Sequence, residues 1–411
     1  MTRKHRSSAS ANKPRWRRIT RWTLIALAAL VSLNAANFGV QAVVRANSAH
    51  EDIGLAAADV GRDLGYGPLM ALSENFYYQV INPAAVGGKP KGSAVFGKVV
   101  PKTTPMATVS ATPAAVAAVA NNPAWGGATE VSNAPENLVT PAKKAMAGEG
   151  VWQPTKIVVN GQVAIRITRV RPDNVHTSFL DTLIWMDPKL LAFQQIPGTL
   201  EPSGNYDHGT GMISQDLRPF YVAGINGGYK TVNMHGGFTY KGQTVIPMRD
   251  NVATLLTYPD GSIDVANWGK DTIKPGFVSA RQNLPMLVEN GKNQVTDNNA
   301  AQWGSLAWGT ASGGNFVWRS AIGVRADGTV IHLVGPSMSQ SDLADLMVRA
   351  GAVRAMCLDM NNGWASSFLY GPYRNGVPVD PQIPRSPSRF LLSSTRDFIA
   401  VFAKSPAKPA K

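Results

Sequence analysis

The sequence predicts an α+β fold, mainly antiparallel sheet with few helices, preceded by a single transmembrane helix and a Pro/Ala-rich linker. Strand-length apolar segments recur around Asn-Gly and Asp-Gly pairs after residue 151, only one segment there combines helical periodicity with caps, and an apolar run behind a basic tail opens the chain. At 411 residues and 44% hydrophobic composition, the chain has enough apolar side chains for a large core.

Residues 1–21 read as a basic cytoplasmic tail. Arg3, Lys4, Arg6, Lys13, Arg15, Arg17, Arg18, Arg21 and Arg45 place nine positive charges before residue 50 with no acid among them, so most of the formal +14 belongs to this end. That placement argues against nucleic acid as a partner, because the charges flank an apolar run and not a folded surface with aromatic platforms. Residues 22–44 are long enough to cross a bilayer as a signal anchor, and the basic flank orients the remainder outside the cytoplasm. Asn34, Asn37 and Gln41 weaken the second half of the run, and a signal peptide cut after Ala42 is the alternative. Residues 45–81 suit a juxtamembrane helical stalk, with Val60, Leu64, Leu69 and Phe76 as apolar points and Gly65 and Gly67 interrupting it. Residues 82–150 are dominated by Pro, Ala, Gly, Thr and Val, the composition of a low-complexity linker. Residues 404–411 form a short disordered tail by the same reading.

Within 151–403, hairpins are expected around Asn160-Gly161, Pro259-Asp260-Gly261, Asn290-Gly291 and Asp327-Gly328, where the turn residues tolerate positive φ. Ser339 and Asp342 have capping-box spacing, Leu343, Leu346, Met347 and Ala350 follow at helical intervals, and Gly351 suits the left-handed position beyond the helix end. Val353 to Leu358 reads as a buried strand that hands over to Asp359, with Asn361, Asn362, Gly363, Trp364 and Ser366 in the loop beyond. The single cysteine, Cys357, falls in this strand and reads as a packed thiol. Walker, Rossmann, HExxH, CxxC and GxSxG patterns are all missing from the sequence, and no metal constellation or cofactor motif is present.

Three polar clusters could carry chemistry. The first is Gly224-Ile225-Asn226-Gly227-Gly228-Tyr229, with His235 shortly after; its glycines would let backbone N–H groups approach a ligand, or would simply make tight turns. The second is Arg281-Gln282-Asn283 and the third runs from Arg319 to the Asp359 loop. A guanidinium grips phosphate with parallel hydrogen bonds, and a carboxylate at a strand end is placed to meet a ligand.

Arg319-Ser320-Ala321-Ile322-Gly323-Val324, Asp327-Gly328, the helix and Leu358-Asp359 together resemble the phosphodiester glycosidase family, as do residues 224–229 and Gln282 to Lys292. The resemblance spans roughly 155–403 and points to a divergent bacterial, membrane-anchored branch. It implies a hydrolase that cleaves a glycosyl phosphodiester bond, with a cell-envelope glycan or glycolipid as partner. It also implies roles: Arg319 and Arg281 holding phosphate, Asp359 stabilising an oxocarbenium-like centre or activating water, and His235 as a proton donor. Asn226, Asn361 and Asn362 would then bind sugar hydroxyls and Trp364 stack on a sugar face, with Gly227, Gly228 and Gln282 also binding substrate; neither metal nor cofactor is expected from the sequence. The family's Asp-Gly-Gly-Gly-Ser is replaced here by Asp359-Met360-Asn361-Asn362-Gly363, which makes an inactive glycan- or partner-binding module the alternative. All of these roles require the segments near 226, 319 and 359 to share one depression.

Overall fold

The computed structural model describes residues 32–47, 53–76, 81, 83–90, 134–304, 316–360 and 363–404. The chain divides into two compact units, Met1–Met70 and Ala71–Lys411. In the first, a helix over 32–47 and another over Ile53–Asp63 bury Ala42, Ala46, Ala56 and Val60. Arg45, one of the nine early positive residues, pairs with Asp63 at 2.6 Å and approaches Asp59 at 3.8 Å. Among the described residues no helix is long and apolar enough to cross a membrane, so the anchor expected over 22–44 has no support here; its residues 22–31 lie outside the described ones. The expected stalk resolves into Ile53–Asp63 and Gly67–Phe76, broken at Gly65.

The second unit is built from antiparallel sheets, and among the described residues every strand pairing is antiparallel. Its largest sheet has eight strands, at the centre of which lie Asp181–Met186, Val330–Met338, Val317–Arg325 and Ala352–Met360, in that order. A five-stranded sheet contains Ser367–Leu369, Tyr221–Asn226, Phe398–Ala403 and Leu191–Ile196 as successive neighbours. A second five-stranded sheet includes Ala253–Thr257, Ser279–Gln282 and Phe238–Tyr240.

Strand alternation sorts the central sheet's side chains between two cores. Ile322, Val334, Met356 and Leu358 join the large core shared with Ile225, Phe368 and Phe398, whereas Ala321, Leu333, Ala355 and Cys357 face the helix Gln340–Arg349 through Leu343, Leu346 and Met347. The helix starts as its caps require: the Ser339 hydroxyl accepts from Asp342 N–H at 3.1 Å while the Asp342 carboxylate accepts from Ser339 N–H at 2.9 Å.

Turn chemistry placed the hairpins, with one difference in kind. Asn290 and Gly291 both take positive φ, 51° and 70°, as a two-residue turn matching strand twist demands. At Asp327-Gly328 only Gly328 does so, at 82°; Asp327 instead accepts the Thr329 N–H at 3.0 Å, making a wider loop closed by Arg325. Asp359 also sits differently from expectation, inside the strand Ala352–Met360 and not after it. Packing reaches N-terminal to residue 151: Glu149 is buried and its carboxylate grips Arg171 at 2.7 Å.

Candidate active site

Where Val317–Arg325 pairs with Ala352–Met360, the register shifts between Arg319 and Ala321, so that Leu358 and Asp359 together oppose Ser320. Such a bulge re-aims side chains locally. The Ser320 hydroxyl accepts from Asp359 N–H at 3.2 Å and donates to the Asp359 carbonyl at 3.1 Å. It also accepts from the Asn226 amide at 2.9 Å, and the Asn226 carbonyl oxygen accepts from Ser366 N–H at 3.0 Å. The segments around 226, 319 and 359 therefore meet through Ser320, with Asn226, Arg319, Ser320 and Asp359 all buried at the meeting point.

The Asp359 carboxylate is held on one side by Met360 N–H at 2.8 Å and on the other by Arg396 at 2.8 Å. That side chain is 6% exposed. Arg396 reaches back with the same nitrogen to the Gly228 carbonyl at 2.9 Å, tying the glycine-rich loop to the carboxylate. Tyr229, next along, has its hydroxyl enclosed; burial is the main cause that raises its pKa well above the usual phenol value, so it stays protonated.

The glycines of this loop serve close packing. A Cβ on Gly227 would lie 2.6 Å from Asp397, and one on Gly228 would lie 2.9 Å from Asn283, each too close for any side chain. Asn283 fixes the loop by accepting from Tyr229 N–H at 3.0 Å while donating to the carbonyls of Cys357 and Leu358, both at 2.8 Å.

The two arginines singled out in the sequence both donate to backbone carbonyls. Arg319 is fully buried and donates to the carbonyls of Met338 at 2.9 Å and Trp303 at 3.1 Å; burial lowers its pKa from the usual value. Arg281 pairs with Asp397 at 3.2 Å and donates to the carbonyls of Gln282 and Tyr229. Gln282 is spent on backbone, accepting from Gly237 and Arg249 N–H at 2.6 and 2.9 Å. His235 is exposed in a left-handed turn, φ 55°. Asn361 and Asn362 lie outside the described residues.

Trp364 is 7% exposed and its neighbours are guanidinium groups, not open space for a sugar. Arg396, Arg389 and Arg385 lie 4.4, 4.6 and 5.1 Å from its ring centroid. None of the three was anticipated, although the sequence does bunch them in IPRSPSRFLLSSTRD. Cys357, by contrast, is the packed thiol expected, fully buried with its pKa pushed up to about 12.

Comparison with curated proteins gives no match. Among solved structures, a hypothetical protein from Synechocystis is similar at 16% identity and TM-score 0.36, covering 60% of this chain and 63% of its own. The chain thus spans less than two thirds of that protein. The zebrafish N-acetylglucosamine-1-phosphodiester alpha-N-acetylglucosaminidase catalytic domain, auto-inhibited by its pro-peptide, is similar at 15% identity and TM-score 0.37, with 65% and 87% covered. At these values neither likeness bears on the site. The family model for phosphodiester glycosidase matches residues 220–383, the stretch that holds Asn226, Ser320 and Asp359.

Proposed function

We propose that the protein is a hydrolase acting on a glycosyl phosphodiester, a sugar joined through its anomeric oxygen to phosphate, in a cell-envelope glycan or glycolipid. The observation that carries this reading is the Asn226, Ser320 and Asp359 cluster inside the family-matched stretch, with Arg396 on the carboxylate. In this reading water attacks the anomeric carbon, the bond to the phosphate oxygen breaks, and a phosphate monoester leaves. A phosphate oxygen needs little protonation to depart, so the demand falls on positive charge near the leaving group and on a carboxylate near the sugar. Asp359 supplies the second. Its backbone is fixed by Ser320, and the carboxylate's angle is set by Arg396 and Met360 N–H, so it is held before substrate arrives.

Action outside the cytoplasm, on a membrane-tethered protein, is part of the same proposal. It is supported by the basic tail over 1–21 followed by the apolar run over 22–44.

A binding module without turnover is the second reading, favoured by the near-complete enclosure of Asp359 and by its ion pair. Turnover decides between them. Full-length protein assayed against a panel of sugar-1-phosphodiesters is expected to release sugar from at least one, and Asp359→Asn is expected to lower that rate by about 10²- to 10⁴-fold with the fold retained. Wild-type rates in a folded Asp359→Asn protein would remove the carboxylate from the mechanism. Silence on every substrate, with retained binding to isolated wall material, would favour the module.

A further inference from the structure

At the turn end of the central hairpin, the structure opens a cavity of about 570 Å³ whose wall includes Gln162, Trp185, Asp187, Lys189, Asp327 and Thr329. That volume is within the roughly 300–1,000 Å³ of small-ligand sites. Arg325, where the strand Val317–Arg325 ends, lies five residues from Ser320, which puts this end of the sheet roughly 17 Å from the Asp359 cluster at about 3.3 Å per residue. Four of the six residues precede residue 220, so the family-matched stretch does not contain the cavity. Trp185 is 4% exposed, and its indole N–H, a group that usually finds an acceptor when buried, has no hydrogen-bond partner among the described residues. Directly across from it, in the strand Ile165–Val170, Arg166 is 3% exposed, and its Nε and Nη2 are buried without a partner among the described residues. Opposed residues of an antiparallel pair share a face, so guanidinium and indole are neighbours. The carboxylates are already oriented: Asp187 accepts from Lys189 N–H at 2.9 Å and Asp327 from Thr329 N–H at 3.0 Å.

Asp187 and Asp327 set against Arg166 and Lys189 leave this corner without net charge. An anion placed here meets two carboxylates, and a cation meets a guanidinium and an amine, each losing water without a matched partner in return. A neutral ligand dense in hydroxyls meets neither difficulty. It donates to the carboxylates, and its oxygens accept from the indole N–H and the Gln162 amide. We propose that this cavity binds a neutral saccharide chain, with Trp185, Asp327 and Gln162 as its polar contacts. The site does not depend on the glycosidase reading, since it uses none of Asn226, Ser320 and Asp359.

The probes are neutral hexasaccharides of glucose, mannose, galactose and N-acetylglucosamine, titrated into the full-length protein and followed by calorimetry and tryptophan fluorescence. At least one is expected to bind saturably. Its affinity is expected to fall about tenfold in Asp327→Ala, at an exposed turn position, and about fivefold in Trp185→Phe, which keeps an aromatic ring but lacks the N–H. Should Trp185→Phe fail to fold, Asp327→Ala carries the test. Asp359→Asn is expected to bind the same hexasaccharide at wild-type affinity. Failure of all four sugars to bind overturns the inference, and so does wild-type affinity in Asp327→Ala. Tighter binding of an anionic polygalacturonate hexamer or a cationic chitosan hexamer overturns the neutral class. Affinity lost in Asp359→Asn but kept in Asp327→Ala assigns the sugar to the other cluster and refutes this site. None of these outcomes requires turnover, so absence of hydrolysis refutes the glycosidase reading alone.

Discussion

Asp181 shows how one side chain can set a pH response for the whole domain. It is completely buried, its carboxyl oxygens lack a hydrogen-bond partner among the described residues, and a Cβ on Gly335 would lie only 1.8 Å from one of them. Burial above all, then the nearby carboxylates of Asp380 and Asp342, raise its pKa well above the ordinary carboxylate value. The folded state therefore keeps a proton that the unfolded chain has already lost. Stability must fall as pH rises from the ordinary carboxylate range toward the raised value. Asp181→Asn removes that titration, so its melting temperature is expected to gain on wild type as pH rises above the ordinary carboxylate range. A constant difference between the two proteins as pH rises would show that Asp181 does not titrate as argued. At the same scale the site was only half legible. Asn226 and Asp359 stand out as polar residues at apolar strand ends, but Ser320 and Arg396 act through partners 94 and 37 positions away, and no local pattern encodes such a pairing.

Elements were the most legible level, because their signals are short-range. The capping box at Ser339 and Asp342 formed as its spacing requires, and the apolar face of Gln340–Arg349 is the buried one. Removing one cap tests how much the helix depends on it: Ser339→Ala is expected to cost about 1 kcal/mol, read as a melting point lower by about 2–4 °C in a domain of this size. No change in melting would mean that packing on Leu343, Leu346 and Met347 holds the helix without its cap. The hairpin joining Phe238–Tyr240 to Gln243–Ile246 went unread because its turn, Lys241-Gly242, lacks the Asn or Asp that marks such turns, yet both residues take positive φ, 48° and 78°. The placement of Asp359 within a strand was hidden for another reason. Pairing with Val317–Arg325 extends Ala352–Met360 beyond its apolar run, a tertiary effect that sequence periodicity does not report.

For the molecule as a whole, composition marked the N-terminal limit of the glycosidase-like domain at 151, but contacts run earlier. Glu149 accepts from Arg171 and from Thr140 and Met146, and Gly150 N–H donates to the Arg169 carbonyl at 3.0 Å. Low-complexity composition conceals this, since one Glu among Ala and Gly residues gives no sign of its distant partner. Losing one member of a buried ion pair costs about 3–5 kcal/mol. A chain beginning at 151 is accordingly expected to melt well below one beginning at 134, and Glu149→Ala to reproduce most of that loss. Equal melting of the two truncations would mean that residues 134–150 rest on the domain without supporting it.

The strand Phe398–Ala403 lies between Leu191–Ile196 and Tyr221–Asn226, and Arg396 just ahead of it closes onto residues 228 and 359. During synthesis the chain emerges from its N-terminal side, so everything in the family-matched stretch is out before this strand arrives. The carboxylate then waits without its cation and the glycine loop without its clasp. The cluster around Asp359 is thus completed only when nearly four hundred residues have been delivered.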